Sequence, residues 1–265
     1  MARLTGRCAP PALISSSMNQ DLQIFENSEL LANAAARAFT AAAADAVASR
    51  RSFIAALSGG STPKALFSLL ASPAYRGEID WQAVHIFWGD ERLVPADDPG
   101  SNYYHARHLL LSQVPIPSTQ VHRVRGELPA GEAVEDYTTQ LRESASMGLA
   151  WPRFDLALMG LGADGHTASL FPGSTAVMEE ERSVLAVTAD YAGRPAHRVT
   201  LTPPVFNSAQ RILFLVTGKE KATALSAVLR APKDVQQWPA QSIQPVSGSL
   251  TWFADRAAAS QLSPI

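Results

Sequence analysis

The sequence predicts an α/β fold of three layers (αβα), a Rossmann-like, mostly parallel sheet with helices on both faces. Short, almost wholly apolar runs recur at 53–57, 84–88, 154–159 and 212–216. Stretches with helical spacing of apolar residues separate them, and glycine-rich turns close several of them. Strands buried on both faces read as continuous apolar runs, and a parallel arrangement needs a long crossover, usually a helix, between them.

In chain order, the first helical pattern covers 28–49. It is rich in alanine but broken by Asn33, Arg37 and Asp45, so it never approaches the ~18 uninterrupted apolar residues of a membrane span. A strand over 53–57 leads through Ser58-Gly59-Gly60 into a helix over 63–70. A second strand follows at 84–88, and after the loop 97–101 a helix over 102–111. A helix over 131–147 precedes the strand at 154–159. Further strands are expected at 184–187, 198–201 and 212–216, then a helix over 219–229 and a last strand near 249–253. The Pro-rich stretch 238–245 reads as a loop inside the fold.

Composition bounds the function. The 265 residues are 46% apolar and 17% charged, enough for a sizeable core, and the net charge of −2 supplies no basic field for nucleic acid or an anionic membrane. An anionic ligand must therefore be held by a few placed cations. The lone cysteine, Cys8, cannot form an internal disulfide, which fits a reducing, cytoplasmic setting. Residues 1–20 hold Arg3 and Arg7 but no acid; they read as a flexible tail, or an over-long start with Met18 as the true first residue. An organelle-targeting segment is the alternative. Residues 21–265 are expected to form one domain.

In open parallel sheets ligands bind beyond the carboxyl ends of the strands, so the loops leaving those ends carry the chemistry. Three are rich in suitable residues. Ser58, Gly59, Gly60, Ser61, Thr62 and Pro63 read as an anion cradle: paired glycines turn backbone N–H groups inward, Ser61 or Thr62 can cap the helix, and Pro63 suits its first turn. No Walker A pattern is present. Gly89-Asp90-Glu91-Arg92 follows the second strand as a charged loop, and Arg92 could meet the same anion with a planar guanidinium. Gly160-Leu161-Gly162-Ala163-Asp164-Gly165-His166 matches G-x-G-x-x-G, but Pro172 and Gly173 allow no long helix, and Asp164 would oppose a pyrophosphate. No nicotinamide or flavin cofactor is expected. His166 instead reads as a general base with Asp164 beside it. Arg198 and Lys221 stand at matching places near strand and helix starts. His105 and His108 share a helix face without further metal ligands, so no metal is expected.

These loops together resemble the 6-phosphogluconolactonase family, within the wider group that includes glucosamine-6-phosphate isomerase/deaminase. The resemblance rests on 57–63, on Gly89 to Arg92 with Val94-Pro95 and Ser101-Asn102, on 160–172, on 198–202 and on 218–221; it spans about 27–258. It implies metal-free hydrolysis of 6-phospho-D-glucono-1,5-lactone, a small-molecule sugar-phosphate substrate, and a monomer without nucleic-acid or membrane partners. Ser58 to Thr62, with Arg92, Arg198 and Lys221, would hold the phosphate, His166 would activate water, and Asp164 or Asp90 would orient the imidazole or the water. The related deaminases carry a glutamate five residues after the histidine; here that residue is Phe171, which cannot relay a proton. An amino-sugar-phosphate isomerase/deaminase and a non-catalytic sugar-phosphate regulator are the alternatives. The contacts of Arg194 and Lys219 stay open at this point.

Overall fold

A computed structural model describes residues 20–191 and 193–262. The expectations for Cys8, for Met18 and for the tail up to residue 19 lie outside that range, whereas Gln20 already belongs to a strand.

The elements run β1 (Gln20–Phe25), α1 (Ser28–Arg50), β2 (Phe53–Leu57), α2 (Ser61–Leu70), β3 (Val84–Trp88), β4 (Asp90–Arg92), α3 (Asn102–Ala106), α4 (Ala130–Glu143), β5 (Leu156–Gly160), β6 (Val184–Thr188), β7 (His197–Leu201), α5 (Pro203–Asn207), β8 (Arg211–Val216), α6 (Ala222–Arg230) and β9 (Ser249–Asp255). Six strands form one sheet in the order β1-β9-β8-β5-β2-β3, with every pairing parallel. Side chains alternate across it. In β8, Leu213 and Leu215 join a core with α1 and α2, whereas Ile212, Phe214 and Val216 join a second core with α4 and α6. Each such side chain contributes about 1.5–3 kcal/mol by leaving water. Helices therefore cover both faces, the three-layer arrangement that the apolar runs imply.

Local signals account for the element ends. Asn27 caps α1, its side chain accepting from Leu30 N at 2.9 Å, and Arg51 ends the helix in the left-handed region at φ 58°. The helix beginning at Asn102 passes into a wider π turn over Arg107–Leu111, and α4 stops at Glu143, short of the expected 147. A short 3₁₀ turn, Lys219–Lys221, precedes α6.

Two expectations are corrected. The 184–188 and 197–201 strands do not enter the parallel sheet; β4, β7 and β6 make a separate antiparallel sheet in that order. Gly89-Asp90-Glu91-Arg92 is accordingly not a free loop, because residues 90–92 pair with β7. Gly89 is the pivot. Its N–H still bonds Leu57 O of the main sheet at 2.8 Å, while its carbonyl accepts from Leu201 N of the small sheet at 2.8 Å. The chain thus leaves one sheet and enters the other within one residue, which delivers Asp90 and Arg92 to the carboxyl end of β2.

Candidate active site

The loops after β2, β5 and β8, together with β4 and β7, enclose a cavity of about 220 Å³ at the carboxyl edge of the parallel sheet. All five residues Ser58 to Thr62 line it, as do Asp90, Arg92, His166, Arg198 and Lys221. Of the catalytic and phosphate-binding residues assigned from the sequence, only Asp164 is absent from its wall.

At one end lies the amino terminus of α2. The expected hydroxyl cap is not formed: Gly60, at φ 114°, occupies the cap position, and Ser61 and Thr62 stand inside the first turn. Glycine has no side chain to satisfy the first N–H groups, so the helix dipole and its free donors are available to an anion. Thr62 Oγ1 instead lies 2.7 Å from Thr217 Oγ1, which ties this loop to the one after β8. There Gly218, at φ 99°, again leaves a helical turn without a side-chain cap, next to Lys221.

Two buried arginines face the same space. Arg198 is 2% exposed, with Nε and Nη2 lacking any partner, and its guanidinium lies 5.2 Å over the Phe171 ring. Burial lowers its pKa against the opposing pull of Asp90. Arg92 fastens Nη1 to Gly100 O at 2.6 Å, and its Nε has no partner. Burial, then the charges of Arg194 and Arg92, hold the Lys64 ammonium below its ordinary pKa. Cations crowded together with unfilled donors are matched by a doubly charged oxyanion.

At the other end is the β5 loop. His166 Nδ1 lies 2.6 Å from Asp164 Oδ1, which also accepts from His166 N at 3.2 Å. Burial pushes the Asp164 carboxyl up, but the hydrogen bonds and charge of His166 outweigh it and keep the carboxyl below its ordinary value. Asp164 therefore sits behind the imidazole, bordering a different groove, while His166 lines the cavity. With Nδ1 engaged, Nε2 is the nitrogen left for the cavity. Gly162 permits this geometry: a Cβ there would stand 2.0 Å from His166 Nδ1 and 2.4 Å from Asp164 Oδ1. The ring is held between Phe171 and Tyr191, with centroids 4.5 and 4.6 Å away.

Asp90 is buried on the intervening wall, its Oδ2 accepting from Ser169 Oγ at 2.7 Å. Of the two aspartates it is Asp164 that is hydrogen-bonded to the imidazole. Neighbouring Glu91 points away into the protein. Its carboxylate takes Arg92 N, Asn102 N and Tyr103 N at 2.7 Å each and Ser101 Oγ at 2.9 Å, which anchors the start of α3.

Sequence reasoning gave no site role to Asn102, Tyr191, Thr217 and Glu220, all on the cavity wall, and could not place Arg194, which also lines it. Lys219 does not. Ser101-Asn102 reads as an ordinary helix start, and indeed Ser101 caps α3; nothing local marks the next side chain as part of a site. Among the described residues no three His, Cys, Asp or Glu side chains gather as a metal ion requires, and no helix is long and apolar enough to cross a membrane. A roomier groove of about 840 Å³, lined by Trp151, Met178, Pro203 and Val246 together with Arg153, Glu179 and Lys233, contains no histidine and none of the glycine-loop residues.

The family model for glucosamine-6-phosphate isomerases/6-phosphogluconolactonase matches residues 26–252. The human 6-phosphogluconolactonase is 40% identical over 244 residues, covering 91% of this chain and 93% of that protein. The 6-phosphogluconolactonase of Synechocystis sp. is 38% identical over 251 residues, 93% of this chain and 100% of that one. Among solved structures, that of 6-phosphogluconolactonase from Trypanosoma brucei superposes with a TM-score of 0.82 at 30% identity, covering 93% of this chain and 100% of the other.

Proposed function

Because the chain belongs to the glucosamine-6-phosphate isomerase/6-phosphogluconolactonase family, we infer that it hydrolyses 6-phospho-D-glucono-1,5-lactone to 6-phospho-D-gluconate, a step of the oxidative pentose phosphate pathway. One observation carries the reading. An imidazole fixed through Nδ1 by a carboxylate shares a 220 Å³ cavity with the uncapped start of α2 and two buried arginines that keep unfilled donors.

The 6-phosphate sits in the loop Ser58 to Thr62, with Arg198, Arg92 and Lys221 supplying charge. His166 Nε2 takes a proton from water as the water oxygen bonds to C1. Asp164 stabilises the imidazolium and keeps the neutral ring in the tautomer that accepts at Nε2. The tetrahedral oxyanion then collapses, the C1–O5 bond breaks, and the ring oxygen takes the proton back. A lactone is activated towards attack, so general-base catalysis of about 10²–10⁴-fold together with positioning suffices without a metal. We propose a monomer as the working unit and the cytoplasm, where a soluble sugar phosphate is at hand, as its setting.

Phe171 disfavours the deaminase reading, since its ring rather than an acid packs on the imidazole. A non-catalytic sensor would need the phosphate cradle but not the Asp164–His166 pair. Stopped-flow hydrolysis of freshly made lactone by chelator-treated protein, read against spontaneous opening, tests the activity. His166→Asn should cost about 10²–10⁴-fold in kcat with KM changed by less than about threefold. Hydrolysis no faster than the background would overturn the assignment.

A further inference from the structure

A phosphate and a carbonyl oxygen accept hydrogen bonds and donate none. The cations and free N–H groups of the cavity answer those two ends of the ligand. The wall also holds an acceptor that neither end can use. Asn102 is 3% exposed, and its Oδ1 is buried with no partner. Its Nδ2 is committed elsewhere, donating to Asp90 O at 2.8 Å and standing 3.4 Å from Asp90 Oδ1. That orientation of the amide follows from chemistry, because only an NH₂ can face a carbonyl oxygen.

The placement of Asn102 is built by its neighbours. Glu91 pins its backbone N–H at 2.7 Å, and Ser101 caps the turn. Gly59 makes room for the amide oxygen: a Cβ at that position would lie 1.9 Å from Asn102 Oδ1. Asn102 thus stands between the phosphate loop and Asp90, on the wall that also carries His166. The middle of a six-carbon aldonolactone phosphate carries hydroxyl donors on C2, C3 and C4. A buried acceptor without a partner is costly, and a ligand hydroxyl is a group that removes the cost.

Resting on the lactonase reading, we propose that Asn102 Oδ1 accepts a hydrogen bond from a ring hydroxyl of the substrate and determines specificity for the fully hydroxylated lactone. The experiment compares kcat/KM for 6-phosphogluconolactone and for its 2-deoxy, 3-deoxy and 4-deoxy analogues, in the wild type and in Asn102→Ala and Asn102→Asp. The wild type should prefer the parent over one analogue by about tenfold or more. Asn102→Ala should lower that preference about tenfold, mainly through loss on the parent lactone. Asn102→Asp keeps an acceptor oxygen but loses the donation to Asp90, so it should retain the preference even where overall activity falls. Equal preference in all three proteins, or loss of preference in the Asp variant as well, overturns the proposal and leaves Asn102 as a support for Asp90. A wild type inactive on every lactone removes the underlying reading and this inference with it. Circular-dichroism melts of each variant separate misfolding from altered selectivity.

Discussion

Asp164→Asn isolates the Asp164–His166 pair, since Asp164 lies behind the imidazole and outside the cavity wall. In the reaction the neutral ring becomes an imidazolium beside this carboxylate. Unit charges about 4 Å apart interact by about 4 kcal/mol at an effective dielectric of ~20, and the 35% exposure of the Asp164 side chain screens part of that. About 3 kcal/mol of transition-state stabilisation remains, a factor of about 10² in rate. An asparagine adds a second penalty. Its NH₂ can donate to Nδ1 and drive the ring proton to Nε2, where the ring can no longer accept from water; in a comparable imidazole–carboxylate pair the total reaches about 10⁴. The expected fall in kcat is therefore about 10²–10⁴-fold, with KM within about threefold because the phosphate contacts are untouched. Asp164→Ala, which cannot impose the wrong tautomer, should be less impaired than Asp164→Asn. Stopped-flow proton release with a pH indicator reads both constants. A kcat for Asp164→Asn within about threefold of wild type, or a loss confined to KM, would refute the tautomer argument.

Other outcomes follow from the same geometry. Gly162→Ala should push the imidazole off Asp164 and lower kcat by about 10²-fold or more without unfolding the protein, which kinetics and a thermal melt check together. Arg198→Lys keeps a charge but loses the guanidinium's extra donors and its seat on Phe171, so KM for the lactone should rise about tenfold or more with a smaller change in kcat. Glu179 accepts from Arg182 N, Glu181 N and the Arg182 side chain, which hold its carboxyl down at about 2. Because that folded value lies below the unfolded one, its stabilisation is present above about pH 4.3 and is lost as pH falls towards 2. Glu179→Gln should thus cost about 1 kcal/mol at pH 7, and urea titrations from pH 7 down to 3 should show the gap to wild type closing. A gap independent of pH would remove the carboxylate from that role.

Much of this protein is written locally. Apolar runs bounded by glycines mark β2, β3, β5 and β8, because a strand buried on both faces has little choice of residue. The Gly-Gly and Gly-x-Gly loops announce close backbone approaches before any partner is known. Their family pattern, from Ser58 to Lys221, already points to a phosphorylated lactone. Other features depend on residues far apart in the chain. A five-residue strand such as β6 looks alike in either sheet, so only its pairing with β7, and that of β7 with β4 beyond Gly89, separates these strands from the parallel core. The edge strand β1 exists because β9 offers it a partner. Glycine rather than serine caps α2 because the open N–H groups face a charged cavity. Asp164 and Asp90 are equivalent in composition; one meets Nδ1 two residues away, the other a serine 79 residues away. Spacing along a chain specifies backbone conformation and which side of an element is apolar. Which polar atoms meet is decided when loops from several strands close over one volume, and that closure also leaves the oxygen of Asn102 facing Gly59.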